Sequence, residues 1–133
     1  MNYPLVIKVL GYTLWVEAGC MVLPLLVAVY YREPCWESFL YAAGLCAAAG
    51  IACSRVPARK REMQGRDGYI SAALVWVVLW VFGAAPYKFS GAIPRYLDAL
   101  FEAASGLTTT GATLLTNVEA LPRGILFWRS LTQ

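Results

Sequence analysis

The chain has 133 residues, 59% of them hydrophobic and 14% charged, with a net charge of +3 and a mean hydropathy of +0.57. Soluble domains carry about 25% charged residues, so this composition excludes an ordinary water-soluble domain and belongs to the membrane class. Histidine is absent; without the commonest general base and metal ligand, and with no other catalytic set, the chain does not read as an enzyme.

Three apolar stretches are candidates for crossing a bilayer, which takes about 20 helical residues. The first covers residues 5–30. It is too long for the apolar core of a signal peptide and has only Lys8 near its start, so it reads as a retained helix. Glu17 lies in its middle, where a charge is costly, and reads either as an ion-path residue or as a structural polar contact. Pro24 is expected to kink it. The second stretch, residues 39–53, is short and rich in Ala and Gly. Its Gly44 and Ala48, beside Ala43 and Ala47, have the small-xxx-small spacing that allows close helix approach. The third covers residues 69–86.

Five of the eleven cations (Arg55, Arg59, Lys60, Arg61 and Arg66) fall in the linker between the second and third stretches. The loop between the first two, REPCWE, has one Arg against two Glu. Basic loops stay on the cytoplasmic side, so the linker and the N-terminus are expected inside and residues 87–121 outside. No aromatics interleave the cations, which argues against a nucleic-acid partner. Cys20, Cys35, Cys46 and Cys53 form no C-x-x-C pair, so no metal site is expected from them.

In the outer segment, RYLDALFEAASG (95–106) reads as a short helix of about 18 Å, half a membrane. Pro94 stands near its start, Leu97, Leu100, Phe101 and Ala104 form an apolar stripe, and Gly106 can cap its end. Asp98 and Glu102, four residues apart, read as vestibule charges that concentrate cations or as a solvated face.

GLTTTGAT (106–113) follows. It matches the phosphate-loop pattern G-x-x-x-x-G-K-[ST] except that Ala112 stands where Lys belongs. A phosphate loop precedes its helix and offers the anion a positive N-terminus; here the helix comes first and presents its negative end, which favours a cation. Extended backbone at membrane depth survives where it is buried in protein or lines a watery cavity. Carbonyl oxygens freed that way can replace the hydration shell of K⁺, as in TVGYG filters. Thr109-Thr110-Gly111-Ala112-Thr113 can be laid over that pattern, sharing its leading Thr and central Gly. An ordinary loop using threonines for local hydrogen bonds remains the other reading. A last apolar segment begins near Gly124 and stops with the chain, as expected of a fragment.

From Arg66 onward the sequence resembles the Trk/Ktr/HKT superfamily of potassium-translocating membrane subunits, most closely its bacterial TrkH-like branch. The resemblance is carried by RDGYISAALVWVVLWVFGAAPY, by DALFEAASGLTTTGATLL and by LFWRSLTQ. The middle block is the specific one. Residues 1–65 match only in hydropathy and position.

The resemblance implies an all-α integral membrane protein whose pore repeat is of the voltage-gated-like channel type. Its organisation would be an N-terminal helix pair (1–54), a basic cytoplasmic linker (55–68) and a first membrane–pore–membrane repeat (69–133). It further implies K⁺ held by backbone carbonyls of Thr109, Thr110, Gly111 and Ala112, with Thr108 and Thr113 flanking, and no cofactor beyond the transported ion. The implied partners are the remaining pore repeats of a full-length chain, a second copy in a homodimer and a cytoplasmic nucleotide-binding regulatory subunit. The implied location is the bacterial inner membrane. A non-conducting assembly or regulatory membrane protein with a pore-like loop is the alternative.

Overall fold

A computed structural model describes residues 2–58 and 62–133; Arg59, Lys60 and Arg61 of the basic linker lie outside the described residues. Among those described there are helices and loops and no strand. Three helices are long and apolar enough to cross a membrane. The first, α1, runs Tyr3–Tyr30 and continues through Pro24. The second, α2, runs Trp36–Ser54, and α3 runs Gly65–Gly83. A short helix, α4, covers Ala85–Phe89 and extends the third span. The half-length helix α5 covers Tyr96–Leu107, a 3₁₀ turn covers Val118–Ala120, and α6 covers Arg123–Thr132. The molecule is an all-helical membrane protein.

Residues 39–53 are too few to span, yet α2 begins three residues earlier at Trp36. The Ser38 hydroxyl donates to the Cys35 carbonyl at 2.5 Å and ties that added first turn to the loop before it. Pairing of α1 with α2 is tightest at Gly11 and Gly50. A Cβ on Gly11 would stand 2.8 Å from the Ser54 nitrogen, and one on Gly50 would stand 3.1 Å from the Gly11 oxygen. Gly44 and Ala48, expected at a close approach, instead face outward, and a Cβ on Gly44 would meet nothing within 4 Å. Small-xxx-small spacing also exists at Ala42, Cys46 and Gly50, one face round the helix, and that face is the buried one.

The core between the helix pair and the later elements is made of Met21, Ala28, Phe39, Ala42, Tyr87, Ala99, Ile125 and Trp128 among others. Phe39 and Trp128 meet edge-on, with ring centroids 6.5 Å apart. The end of α3 is held by side chains from later elements. Trp128 Nε1 donates to the Gly83 carbonyl at 3.1 Å, and the Tyr96 hydroxyl donates to the Val81 carbonyl at 2.7 Å. These carbonyls close a helix and have no partner within it, so the two bonds satisfy them and fix α5 and α6 against α3.

Two contacts define the ends of the bundle. The Asn2 amide donates to the Asp67 carboxylate at 3.4 Å, bringing the starts of α1 and α3 together. At the opposite end Glu33, in the α1–α2 loop, accepts from the backbone N–H groups of Arg123 and Gly124 at 2.8 and 3.1 Å. It therefore caps α6 from ninety residues away.

Candidate functional site

The site is the hairpin-like return from α5 into residues 108–117. The helix runs through Gly106 to Leu107, one residue beyond the expected cap. Gly106 serves packing instead: a Cβ there would stand 3.2 Å from the Thr132 hydroxyl of α6. Thr108 ends the helix, its hydroxyl donating back to the Ala104 carbonyl at 2.7 Å.

The chain then reverses and climbs along its own helix in an extended form. Thr109 has φ +58° and Gly111 has φ +75°. For a β-branched residue such as Thr109 that angle is an outlier, costing about 1–3 kcal/mol unless the surroundings impose it. The surroundings here are hydrogen bonds. The Thr109 amide donates to the Gly106 carbonyl at 3.0 Å, and the Thr110 and Gly111 amides donate to the Ser105 carbonyl at 2.9 and 3.4 Å. Three successive N–H groups are thus turned towards the helix C-terminus. Among the described residues, no donor reaches the carbonyl oxygens of Thr109, Thr110 and Gly111.

Ala112 departs from the expectation of four equivalent free carbonyls. Its oxygen accepts from the Ser105 hydroxyl at 2.6 Å, so one of its lone pairs is engaged by α5. Thr108 and Thr113 do flank the stretch. The hydroxyls of Thr108 and Thr110 lie 2.9 Å apart, and Thr113 donates to Glu102 Oε1 at 2.6 Å. Residues 108–113 are all exposed in this chain.

Glu102 is the residue the sequence misplaced. Read as a vestibule charge or a solvated face, it is 2% exposed and lies behind the strand, while Asp98 remains half-buried. Its Oε1 also accepts from the Leu114 amide at 2.7 Å, and Arg129 Nε of α6 lies 3.6 Å from its Oε2. Ser105 stands three residues on, on the same helix face. A polar i,i+3 pair on the face opposite the apolar stripe was the available signal. Half of that stripe turns outward: Leu97 and Phe101 are exposed, Leu100 and Ala104 are partly buried, and the buried face carries Ala99, Glu102, Ala103 and Gly106. Apolar side chains have no need of burial where the surroundings are lipid or further protein.

Glu17 is 5% exposed and lines a cavity of about 300 Å³ with Leu79, Leu107, Trp128 and Thr132. Its Oε2 has no hydrogen-bond partner among the described residues. No cluster of His, Cys, Asp or Glu able to hold a metal occurs among the described residues.

The family model for TrkH, described as a cation transport protein, matches residues 39–133. The chain belongs to the TrkH family. Across its whole length it is 38% identical to the Trk system potassium uptake protein TrkH of Halomonas elongata and 36% identical to that of Escherichia coli K12. It spans 28% of the length of each. The crystal structure of the potassium transporter TrkH from Vibrio parahaemolyticus superposes with a TM-score of 0.92 at 32% identity, over 99% of this chain and 29% of that one. These TrkH relatives are transporters, and the helical architecture is theirs.

Proposed function

We propose that the chain forms one of four membrane–pore–membrane units of a Trk-type potassium uptake subunit, preceded by a helix pair, and that residues 109–112 are its share of a K⁺ filter. The backbone at 109–111 carries this reading: two left-handed residues flank Thr110, the amides turn to α5, and the carbonyls are left without donors. Such oxygens can stand in for the hydration shell of a bare cation. The negative end of the α5 dipole adds to the attraction. Relatives named as potassium uptake proteins support K⁺ as the cargo.

Thr109, Thr110 and Gly111 supply ligands through free carbonyls, and Ala112 through its second lone pair. Thr108 and Thr113 flank them. One strand contributes a quarter of each carbonyl ring, so three further units of a full-length protein are required partners. The family resemblance supports a homodimer, a cytoplasmic nucleotide-binding regulatory subunit and the bacterial inner membrane. The cation-rich linker supports a cytoplasmic N-terminus.

Gly111→Ser tests the filter in the full-length protein, in cells lacking their own potassium uptake, with K⁺ and Na⁺ fluxes measured separately. A Cβ at Gly111 meets nothing within 4 Å, so the effect comes through its φ of +75° alone. The expected outcome is a roughly tenfold fall in the K⁺/Na⁺ ratio, equivalent to about 1.4 kcal/mol of lost discrimination, at normal membrane levels. An unchanged ratio would leave residues 106–113 as a loop.

A further inference from the structure

The free carbonyls of Thr109, Thr110 and Gly111 hang between two attachment points on one face of α5. At the near end the Thr110 and Gly111 amides are held by the Ser105 carbonyl. At the far end Glu102 Oε1 takes two donors at once, the Thr113 hydroxyl at 2.6 Å and the Leu114 amide at 2.7 Å. Among the described residues, the bond between these points is that from Ser105 to the Ala112 carbonyl. Glu102 has a side chain 1% exposed, and its other oxygen faces Arg129 Nε at 3.6 Å.

Burying a carboxylate and a guanidinium is expensive, and an apolar pair of similar volume often packs as well or better. A buried pair joined to two hydrogen bonds on a functional strand does something an apolar pair cannot: it fixes the height of that strand against the helix. Charge-assisted bonds of this length are short and stiff.

We propose that Glu102, with the Arg129 charge of α6 beside it at 3.6 Å, is a positioning residue that sets the filter geometry by suspending the far end of the strand. It touches no ion; it acts through Thr113 and Leu114 on the carbonyls of residues 109–111. This rests on the filter reading above. Its consequence is that selectivity depends on a carboxylate behind the filter, and that a displacement of α6 reaches the filter through Arg129.

The test uses the full-length protein in cells lacking their own potassium uptake, with K⁺ and Na⁺ fluxes and membrane levels recorded for Gly111→Ser, Glu102→Gln, Thr113→Val and Thr113→Ser. Thr113→Val removes the hydroxyl's bond to Glu102 together with the one it accepts from the Leu115 amide at 3.1 Å, at nearly constant shape, and leaves Glu102 beside Leu114 and Arg129, so it is suited to reach the membrane even if Glu102→Gln does not. The expected result is a fall in the K⁺/Na⁺ ratio of about two- to tenfold in Thr113→Val, the scale of the net hydrogen bond lost to Glu102. A larger fall is expected in Glu102→Gln, whose amide offers one acceptor and turns an NH₂ towards Arg129. Thr113→Ser, with the hydroxyl retained, is expected to keep the ratio. Should Gly111→Ser lower the ratio while Thr113→Val leaves it unchanged at normal levels, the strut is overturned and the filter stands. An unchanged ratio in Gly111→Ser removes the filter and the strut with it.

Discussion

Single residues in this molecule are placed by hydrogen bonds that sequence neighbours do not supply. Glu33 is the clearest case outside the membrane spans. Burial pushes its carboxyl up, but the N–H groups of Arg123 and Gly124, the Cys35 thiol and the Arg123 charge outweigh that and hold it below its ordinary value. Arg123 is itself held over the Tyr31 ring, 4.3 Å from its centroid. A carboxyl depressed in the folded state contributes stability above its unfolded pKa of about 4.3, and this is lost as pH falls through the lower folded value. Glu33→Ala is therefore expected to lower stability near neutral pH by about 1 kcal/mol, the ordinary worth of a helix cap. The gap between the variant and the parent is expected to narrow as pH falls below the unfolded pKa and through the lowered folded one. Thermal denaturation of the detergent-solubilised protein across pH checks both, and a constant gap down to pH 3 would deny the cap its charge. Glu33 was legible only as an acidic loop residue, since its partners lie ninety positions along the chain.

Elements, by contrast, were largely legible, because hydropathy fixes where a helix can sit in lipid. The spans at 5–30, 39–53 and 69–86 correspond to α1, α2 and α3 with α4, with no end moved by more than four residues. What hydropathy could not give was the face each helix turns inward. In water the apolar stripe of α5 would mark its buried side; here its largest side chains, Leu97 and Phe101, face out, and small or polar residues go inside. Hydropathy also could not choose between two small-residue faces of α2, and the close approach to α1 lies at Gly50 rather than Gly44. Gly11→Ala is expected to destabilise the helix pair by about 1–3 kcal/mol, as overpacking does, because its Cβ would meet backbone at 2.8 Å. Gly44→Ala, with open space around it, is expected to be neutral or to gain up to about 1 kcal/mol of helix propensity. Melting of the purified protein in detergent distinguishes the two sites, and equal effects would overturn the assignment of the packing face.

At the scale of the whole molecule, large apolar side chains remain exposed on every span, including Tyr12, Val16, Leu26, Tyr41, Tyr69 and Val77. Surfaces of that extent mark contact with lipid or further protein. The two ends of the bundle differ in charge: Asn2 meets Asp67 at the end that also carries the basic linker, and Glu33 meets Arg123 at the other. Under the proposed orientation, Asn117→Cys is expected to react with a membrane-impermeant thiol reagent in intact cells, and Glu62→Cys only after permeabilisation. Both need a background with Cys20, Cys35, Cys46 and Cys53 replaced. The opposite pattern would invert the topology.

Sequence alone determined the membrane class, the three spans and the family, because hydropathy and the TTTGAT block are local properties of the chain. It also singled out residues 108–113, since a Thr-Gly run behind a half-length helix has few uses at membrane depth. Only the tertiary structure decided which carbonyls are free and what holds them so. Ser105 claims the Ala112 oxygen and the Thr110 amide, and Glu102 claims Thr113 and Leu114, through a chain reversal whose path composition and periodicity do not encode. Hydrogen bonds depend on direction as well as proximity, and direction exists only once the strand has folded back along its own helix.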